Sequence, residues 1–415
     1  VSNQSFSAKN FSYLVRQGDY GHYFENTDDR DRILQQVEND LDIETYEFQP
    51  LRSFQLNKKA VYALPRITAG EANKVQVIRD DFVLRKLNHN LQRIYRVKQA
   101  NRFRIISCVK ELLTNSALFF VYQADIKSFY ENVNCQSILE NIENSAIVSY
   151  QTKKLLKKFM PDPIAAQGLP RGINISATLA EYCLRQFDEQ VSSFPSVYYY
   201  ARFVDDIILF TTEDLSSSAM QTQFGQKISG ILPKGLSLNE GKIKFYNLAK
   251  PGDGNISYLG YEFRYKVTQK GNKILKVRIA KAKLDKIKQR LVHVFLAYKK
   301  DRNFKLLKNR LLFLTASYPL NTRHQKLSDR DKIGSLHGGL FYSYPLIDDL
   351  ACLTELDKFL RAILCSKNAY RKIRGTLTAA QCGELMKFSF EQAYKRHIFR
   401  GYNRAQLNEI TRCWR

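Results

Sequence analysis

The chain has 415 residues, with 65 Lys and Arg against 40 Asp and Glu, a net charge of +25 and a pI near 9.6. Its hydrophobic content of 44% is ample for a core, which argues against intrinsic disorder; no apolar run approaches the roughly 20 residues of a membrane-spanning helix, so a membrane protein is excluded and a cytoplasmic one expected. The seven cysteines are scattered without a C-x-x-C pair and the six histidines are dispersed, so reduced thiols are expected and zinc or thiol catalysis has little support. High positive charge interleaved with 24 Tyr and 26 Phe fits a nucleic-acid binder, although net charge alone fits any basic soluble protein.

In chain order, residues 3–73 read as an irregular, partly helical extension without a defensible motif. From Lys74 to Tyr95 the residues Val77, Phe82, Leu84, Leu87 and Leu91 form a helical stripe. Arg93 to Ser107, with a turn at Gln99-Ala100-Asn101 and strand-like stretches on either side, reads as a basic β-hairpin carrying Arg96, Lys98, Arg102 and Arg104. Leu118 to Tyr122 has a buried-strand pattern that runs into Asp125. Val197 to Phe203 and Ile207 to Phe210 read as a hairpin with Asp205 and Asp206 at its tip. From Lys276 to Arg310 there are 13 Lys or Arg against Asp285 and Asp301, and Leu284, Ile287, Leu291, Val294 and Tyr298 define one face of a long helix. The rest of the chain reads as mostly helical, ending in a basic and aromatic segment around Tyr394 to Arg404.

Asp125 and the Asp205-Asp206 pair sit at strand ends and converge if those strands are neighbours. Crowded carboxylates need hard cations, and Mg²⁺ held by a few carboxylates and substrate phosphates suits displacement at phosphorus. Taken singly, Asp125 also reads as a helix cap, and Asp205 and Asp206 as turn residues. Between them, Gly168-Leu169-Pro170-Arg171-Gly172 feeds a helix with a face of Leu179, Cys183 and Leu184, where Ser176 is the expected cap. An ordinary loop and amphipathic helix is the plain alternative there.

In this order the residues resemble the reverse transcriptase family over about residues 75 to 310. Asp125-Ile126-Lys127-Ser128-Phe129-Tyr130 looks like its first catalytic motif, Gly168 to Leu184 like the second, and Phe203-Val204-Asp205-Asp206 like its Tyr-x-Asp-Asp box. Leu238-Asn239-Glu240-Gly241-Lys242 resembles the lysine-bearing fourth motif, and Tyr258-Leu259-Gly260-Tyr261 the primer-gripping hairpin. Departures are Arg171 for Gln, Ala177 for proline and Phe203 for tyrosine. The Leu-Pro-x-Gly and Leu-Ala-Glu pattern is similar to bacterial defence-associated reverse transcriptases of the unknown-group and abortive-infection lineages, and the Ser5 to Phe11 start to class 3 systems among them.

The resemblance implies an α+β right-hand polymerase. It would comprise an N-terminal extension (1–74), fingers and palm (75–275) with an antiparallel sheet carrying the acids, a helical thumb (276–345) and a basic helical C-terminal extension (346–415). It implies catalysis by Asp125, Asp205, Asp206 and Lys242. Asp125, Ile126, Asp205 and Asp206 would form a site for two Mg²⁺, with Mn²⁺ as a substitute. Lys98 and Arg104 would hold the triphosphate, Tyr130 would exclude a ribose 2′-hydroxyl, and Arg171 would contact the nucleotide. Lys281, Lys283, Lys286, Lys288, Arg290 and Gly260 would contact nucleic acid, although a solvated charged face is the alternative for any one lysine. Implied partners are an RNA template, in the defence lineages a dedicated noncoding RNA, a DNA product, dNTPs, and a second reverse transcriptase subunit or further copies. The rival readings are an untemplated terminal transferase, a catalytically vestigial RNA-binding scaffold, and a retroelement enzyme, the last without an endonuclease or Cys/His module on this chain.

Overall fold

A computed structural model describes residues 3–56, 59–67, 71–115, 119–160, 168–319, 337–366 and 377–414. It combines helices with antiparallel sheets, and the chain divides into two compact units, residues 1–105 with 118–249 and residues 106–117 with 250–415. No described helix is long and apolar enough to cross a membrane, and all seven cysteines are free thiols.

In the first unit the N-terminal segment is more regular than its sequence suggests. Helix α1 (Thr27–Asn39) starts where the Asn26 side chain accepts a hydrogen bond from the Asp29 N–H at 2.9 Å, and it buries Ile33, Leu34 and Val37. Strands β1 (Arg52–Leu56) and β2 (Lys59–Ala63) then pair antiparallel. Helix α2 (Glu71–Ile94) forms where the apolar stripe predicts it, burying Val77, Phe82, Leu84, Leu87 and Leu91 in full.

The basic β-hairpin expected over Arg93 to Ser107 is absent. The chain leaves α2 at Ile94, and helix α3 (Arg102–Thr114) begins with the Asn101 side chain accepting from the Arg104 N–H at 3.1 Å. Ile105 and Ile106 carry strand propensity, but with Val109 and Leu113 they recur at helical spacing and are all buried, so packing overrides local preference.

The central sheet of this unit has four antiparallel strands in the order β4-β5-β3-β6: β3 (Phe120–Asp125), β4 (Val197–Phe203), β5 (Asp206–Thr211) and β6 (Lys244–Asn247). Leu118, at the start of the predicted strand, lies outside the described residues. Central strands need apolar residues on both faces, and Val121, Tyr122 and Ala124 of β3 and Ile207 to Phe210 of β5 are buried. Two turns after strands are in left-handed backbone: Ser128 (φ 45°) before helix α4 (Phe129–Asn132), and Val204 (φ 59°) between β4 and β5. For a β-branched valine this is a strained conformation. Helix α5 (Asn174–Cys183) follows the glycine loop, and α6 (Arg185–Ser192) leads toward β4. Ser176 does not cap α5; it lies inside the helix, buried, because the helix starts two residues earlier.

The second unit contains a three-stranded sheet, β7 (Gly252–Tyr258), β8 (Tyr261–Val267) and β9 (Lys273–Ile279), in that order. Leu259 (φ 45°) and Gly260 (φ 84°) form the two-residue turn of the β7-β8 hairpin, a left-handed pair that favours glycine. Helix α7 (Lys281–Asp301) buries Leu284, Leu291, Val294, Phe295 and Tyr298, the face expected from sequence with Phe295 added and Ile287 only half-buried. Helices α8 (Phe304–Thr315) and α9 (Ala351–Cys365) pack in the same unit.

Candidate active site

Strand β3 delivers Asp125 at its C-terminal end, and β5 begins at Asp206; the antiparallel register sets these two residues directly opposite each other. Asp205 occupies the turn, and its backbone carbonyl accepts from the Ile126 N–H at 3.0 Å, which stitches the turn to the end of β3. The convergence inferred from strand patterns is therefore a consequence of sheet order. Asp125 is buried, while Asp205 and Asp206 are half-buried.

The fourth segment closes the other side. Asn239 N–H donates to the Asp125 carbonyl at 2.7 Å and Lys127 N–H to the Ser237 carbonyl at 2.9 Å, holding the turn of Glu240–Lys242 against the end of β3. Lys242 Nζ lies 2.9 Å from both carboxylate oxygens of Asp125. That contact, aided by the charges of Asp206 and Asp205, raises the Lys242 pKa, so the amine is protonated at neutral pH. Burial raises the Asp205 pKa and the Asp125 charge raises it further, while Lys59 and Arg171 pull it down. Among the described residues no three His, Cys, Asp or Glu side chains are grouped so as to hold a metal ion as they stand; at Asp125 the countercharge is the Lys242 ammonium.

What fixes the strained turn is a buried arginine that the sequence reading passed over. Arg202 Nη1 donates to the Val204 carbonyl at 2.8 Å, and its Nη2 pairs with Glu181 and with Asp188, each at 2.7 Å. Its side chain is only 3% exposed, so both acids serve to neutralise it. Spacing gives no hint of this triad; the only trace is the Glu of the Leu-Ala-Glu pattern. Replacing Arg202 by Leu leaves two carboxylates facing an apolar side chain. It should cost about 3–5 kcal/mol, read as a lowered urea midpoint, with activity lost as the Val204 turn relaxes. An unchanged midpoint would show that the triad is dispensable.

Tyr130 and Arg171 belong to the same unit and meet: the Arg171 guanidinium lies 4.7 Å from the centre of the Tyr130 ring. Lys98 is on the loop between α2 and α3, at the edge of a cavity of about 580 Å³ that Glu181, Asp188, Tyr200 and Arg202 also line. Arg104 is in the first turn of α3. A further cation, Lys59 at the start of β2, lies close enough to lower the pKa of both Asp205 and Glu131. Its segment alternates too weakly for the sequence to mark it as a strand. Ile126 forms an isolated antiparallel bridge with Leu238 beneath the acids.

The remaining predicted contact residues are in the second unit. Gly260 accepts from the Ala280 N–H at 2.9 Å, which ties the hairpin turn to the start of α7. Lys281, Lys283 and Lys286 are exposed on α7, Lys281 pairing with Asp285 at 2.7 Å. Lys288 Nζ lies 6.0 Å from the Phe359 ring. Arg290 lies over Trp414 at 5.8 Å, and its carbonyl accepts from the indole N–H at 3.1 Å.

The end of one antiparallel sheet brings a carboxylate pair together with Lys242, with Tyr130 near enough to feel the Asp205 charge, and residues 72–263 match the family model described as Reverse transcriptase (RNA-dependent DNA polymerase). Residues 72–263, just under half of the chain, match a reverse transcriptase domain. Such a domain is that of an RNA-directed DNA polymerase, a nucleotidyltransferase, and implies an RNA template, a DNA product and dNTPs. The match contains Asp125, Tyr130, Arg171, Asp205, Asp206, Lys242 and Gly260; Lys59 precedes it, and the α7 residues lie beyond it. No curated protein was found that matches the chain.

Proposed function

We propose that the protein copies an associated noncoding RNA into DNA in bacterial antiphage defence, using the carboxylates of β3 and β5. The observation that carries the chemistry is the register pairing of Asp125 with Asp206, with Asp205 beside them in the turn. In hand-shaped terms, residues 75–275 are fingers and palm, with the β3–β6 sheet as palm, and α7 opens the thumb.

Three hard carboxylates at one sheet end suit divalent cations: burial, and after it the Asp125 charge, raises the Asp205 pKa, and one protonated amine pairs with Asp125 as countercharge. Asp125, Asp205 and Asp206 would hold Mg²⁺, or Mn²⁺ in its place, which when bound activates the attacking hydroxyl and stabilises the leaving pyrophosphate. Lys242, held protonated by Asp125, is placed to give its Nζ proton to the leaving oxygen. Lys59, with Lys98 and Arg104, neutralises the triphosphate, and Tyr130 fills the space a 2′-hydroxyl needs. Fixed charges of this kind supply most of the acceleration in phosphoryl transfer.

The exposed lysines of α7 hold the RNA or RNA:DNA backbone. Changing Lys281, Lys283 and Lys286 together to Ala should flatten the log–log salt dependence of RNA binding by roughly 2 to 3, on the counterion-release scale of about 0.7 to 0.9 per phosphate contact. An unchanged slope would assign them to a solvated face. Arg290, packed on Trp414, should instead affect stability when removed.

The defence role, a bacterial source and a second reverse transcriptase subunit or oligomer rest on the resemblance of the Leu169 to Glu181 pattern, the class 3 relationship rests on the Ser5 to Phe11 start, and the cytoplasmic location rests on the lack of a long apolar run. The test is to isolate the full chain from cells and sequence its bound RNA and DNA. One abundant small RNA with complementary DNA, the DNA missing in Asp205→Asn, and phage plaquing restored in that variant are the expected results. DNA of random sequence would favour an untemplated transferase. Tightly bound RNA without any DNA would favour the scaffold reading.

A further inference from the structure

Arg171 occupies the position where many reverse transcriptases have glutamine, and its geometry differs from that of a side chain waiting for a ligand. Nε donates to Glu131 Oε1 at 2.7 Å and Nη2 to Glu131 Oε2 at 2.8 Å, a two-pronged pairing that fixes the guanidinium plane. The same guanidinium lies 4.7 Å from the centre of the Tyr130 ring, whose other neighbour, Phe129, meets it edge-on at 5.6 Å. The ring is thus held between a cation and an aromatic edge.

The backbone around it is equally constrained. Leu169 N–H donates to the Tyr130 carbonyl and Tyr62 N–H to the Arg171 carbonyl, both at 2.7 Å. Gly168 (φ 80°) and Gly172 (φ 98°) flank the segment, and a Cβ on them would come within 2.3 Å of the Tyr130 carbonyl oxygen and 2.5 Å of the Tyr62 carbonyl oxygen. Arg171 therefore sits at a junction where strand β2, which carries Lys59, the glycine loop and helix α4 are joined.

We infer that Arg171 is a positioning residue which, through its paired hydrogen bonds to Glu131 and its stacking on Tyr130, orients the ring that rejects a ribose 2′-hydroxyl. Sugar selectivity then depends on Glu131 as well, through its hold on Arg171. The inference rests on the reading of Tyr130 as the sugar gate. It departs from the family-based expectation for Arg171, because two of its five N–H groups and much of its charge are already committed to the Glu131 carboxylate.

The test uses the full chain with its bound RNA and compares dATP with ATP in two ways: kcat and KM for incorporation, and equilibrium affinity without turnover. The variants are Glu131→Gln, Arg171→Gln, Arg171→Lys, the exchange Glu131→Arg with Arg171→Glu, and Tyr130→Ala. Breaking the clamp from either side should erode the preference for dATP by roughly tenfold, mainly through a lower KM for ATP, with dATP kcat nearly unchanged. Lysine, which lacks the fork, should rescue poorly, and the exchange, which keeps the ion pair but takes the guanidinium away from position 171, should restore the preference only in part. Thermal unfolding of each variant separates a lost clamp from a lost fold, and Glu131→Gln keeps the test open if Arg171 variants do not fold.

If Glu131→Gln leaves selectivity intact while Arg171→Gln raises KM for both nucleotides alike, Arg171 is a nucleotide ligand and the inference is overturned. Unchanged selectivity in Tyr130→Ala would overturn the gate reading and the clamp with it. A wild-type chain that prefers dATP in binding yet incorporates neither nucleotide would contradict the polymerase reading alone, and the clamp is then decided by the binding ratios.

Discussion

Replacing Asp205 by Asn is expected to abolish dNTP incorporation, by roughly 10³-fold or more, while raising the temperature at which the protein unfolds. The two effects share one cause. Asp205 is held in the Val204 turn close to Asp125, where burial and the neighbouring charge raise its pKa above that of an ordinary aspartate. In the unfolded chain no such penalty exists, so the fold favours the protonated acid. The stability that Asp205 contributes is present below its ordinary pKa of 3.8 and is lost as pH rises through its higher folded value. At neutral pH the ionised group is a net cost, which the neutral amide removes. Unfolding midpoints measured in a chelating buffer should show Asp205→Asn above wild type at pH 7, with the gap closing toward pH 4. A variant less stable than wild type at pH 7, or one that still incorporates dNTPs, would contradict this account of the site.

Changing Tyr130 to Ala should open the site to ribonucleotides, lowering dNTP selectivity by roughly 10²-fold with a smaller effect on the rate with dNTPs. The side chain is half-buried five residues after Asp125, on the short helix that the left-handed Ser128 turn starts. Its ring meets Phe129 edge-on and the Arg171 guanidinium, which is itself paired with Glu131, so removing it takes away the group both pack on. Competition between dATP and ATP in a primer-extension assay reads the ratio directly. Selectivity equal to wild type would return Tyr130 to the role of a core aromatic.

The acids were legible because each sits where an apolar strand pattern stops, a signal that survives without any knowledge of the partner strands. Their meeting depends on sheet order, and the β5-β3 register supplied it. The long basic helix after Lys281 was legible for a similar reason, since one apolar face recurs at a single period. Arg93 to Ser107 was misread because Ile105-Ile106 fits both a strand and a helix, and only burial of Val109 and Leu113 decides between them. Lys59 was hidden in a hairpin of weak alternation. Arg202 was hidden because its partners, Glu181 and Asp188, are brought to it by α5 and α6, and no local pattern records that approach. The pairing of Arg290 with Trp414 spans 124 residues and escapes any reading of the helix alone.

The β3 and β5 carboxylates, on this reading, direct RNA-templated DNA synthesis. The most direct test supplies a defined RNA template, an annealed DNA primer and one labelled dNTP at a time in the presence of Mg²⁺. Only the dNTP complementary to the next template base should be added, and Asp205→Asn should add none. Addition of all four dNTPs regardless of template, or extension that persists in Asp205→Asn, would contradict it.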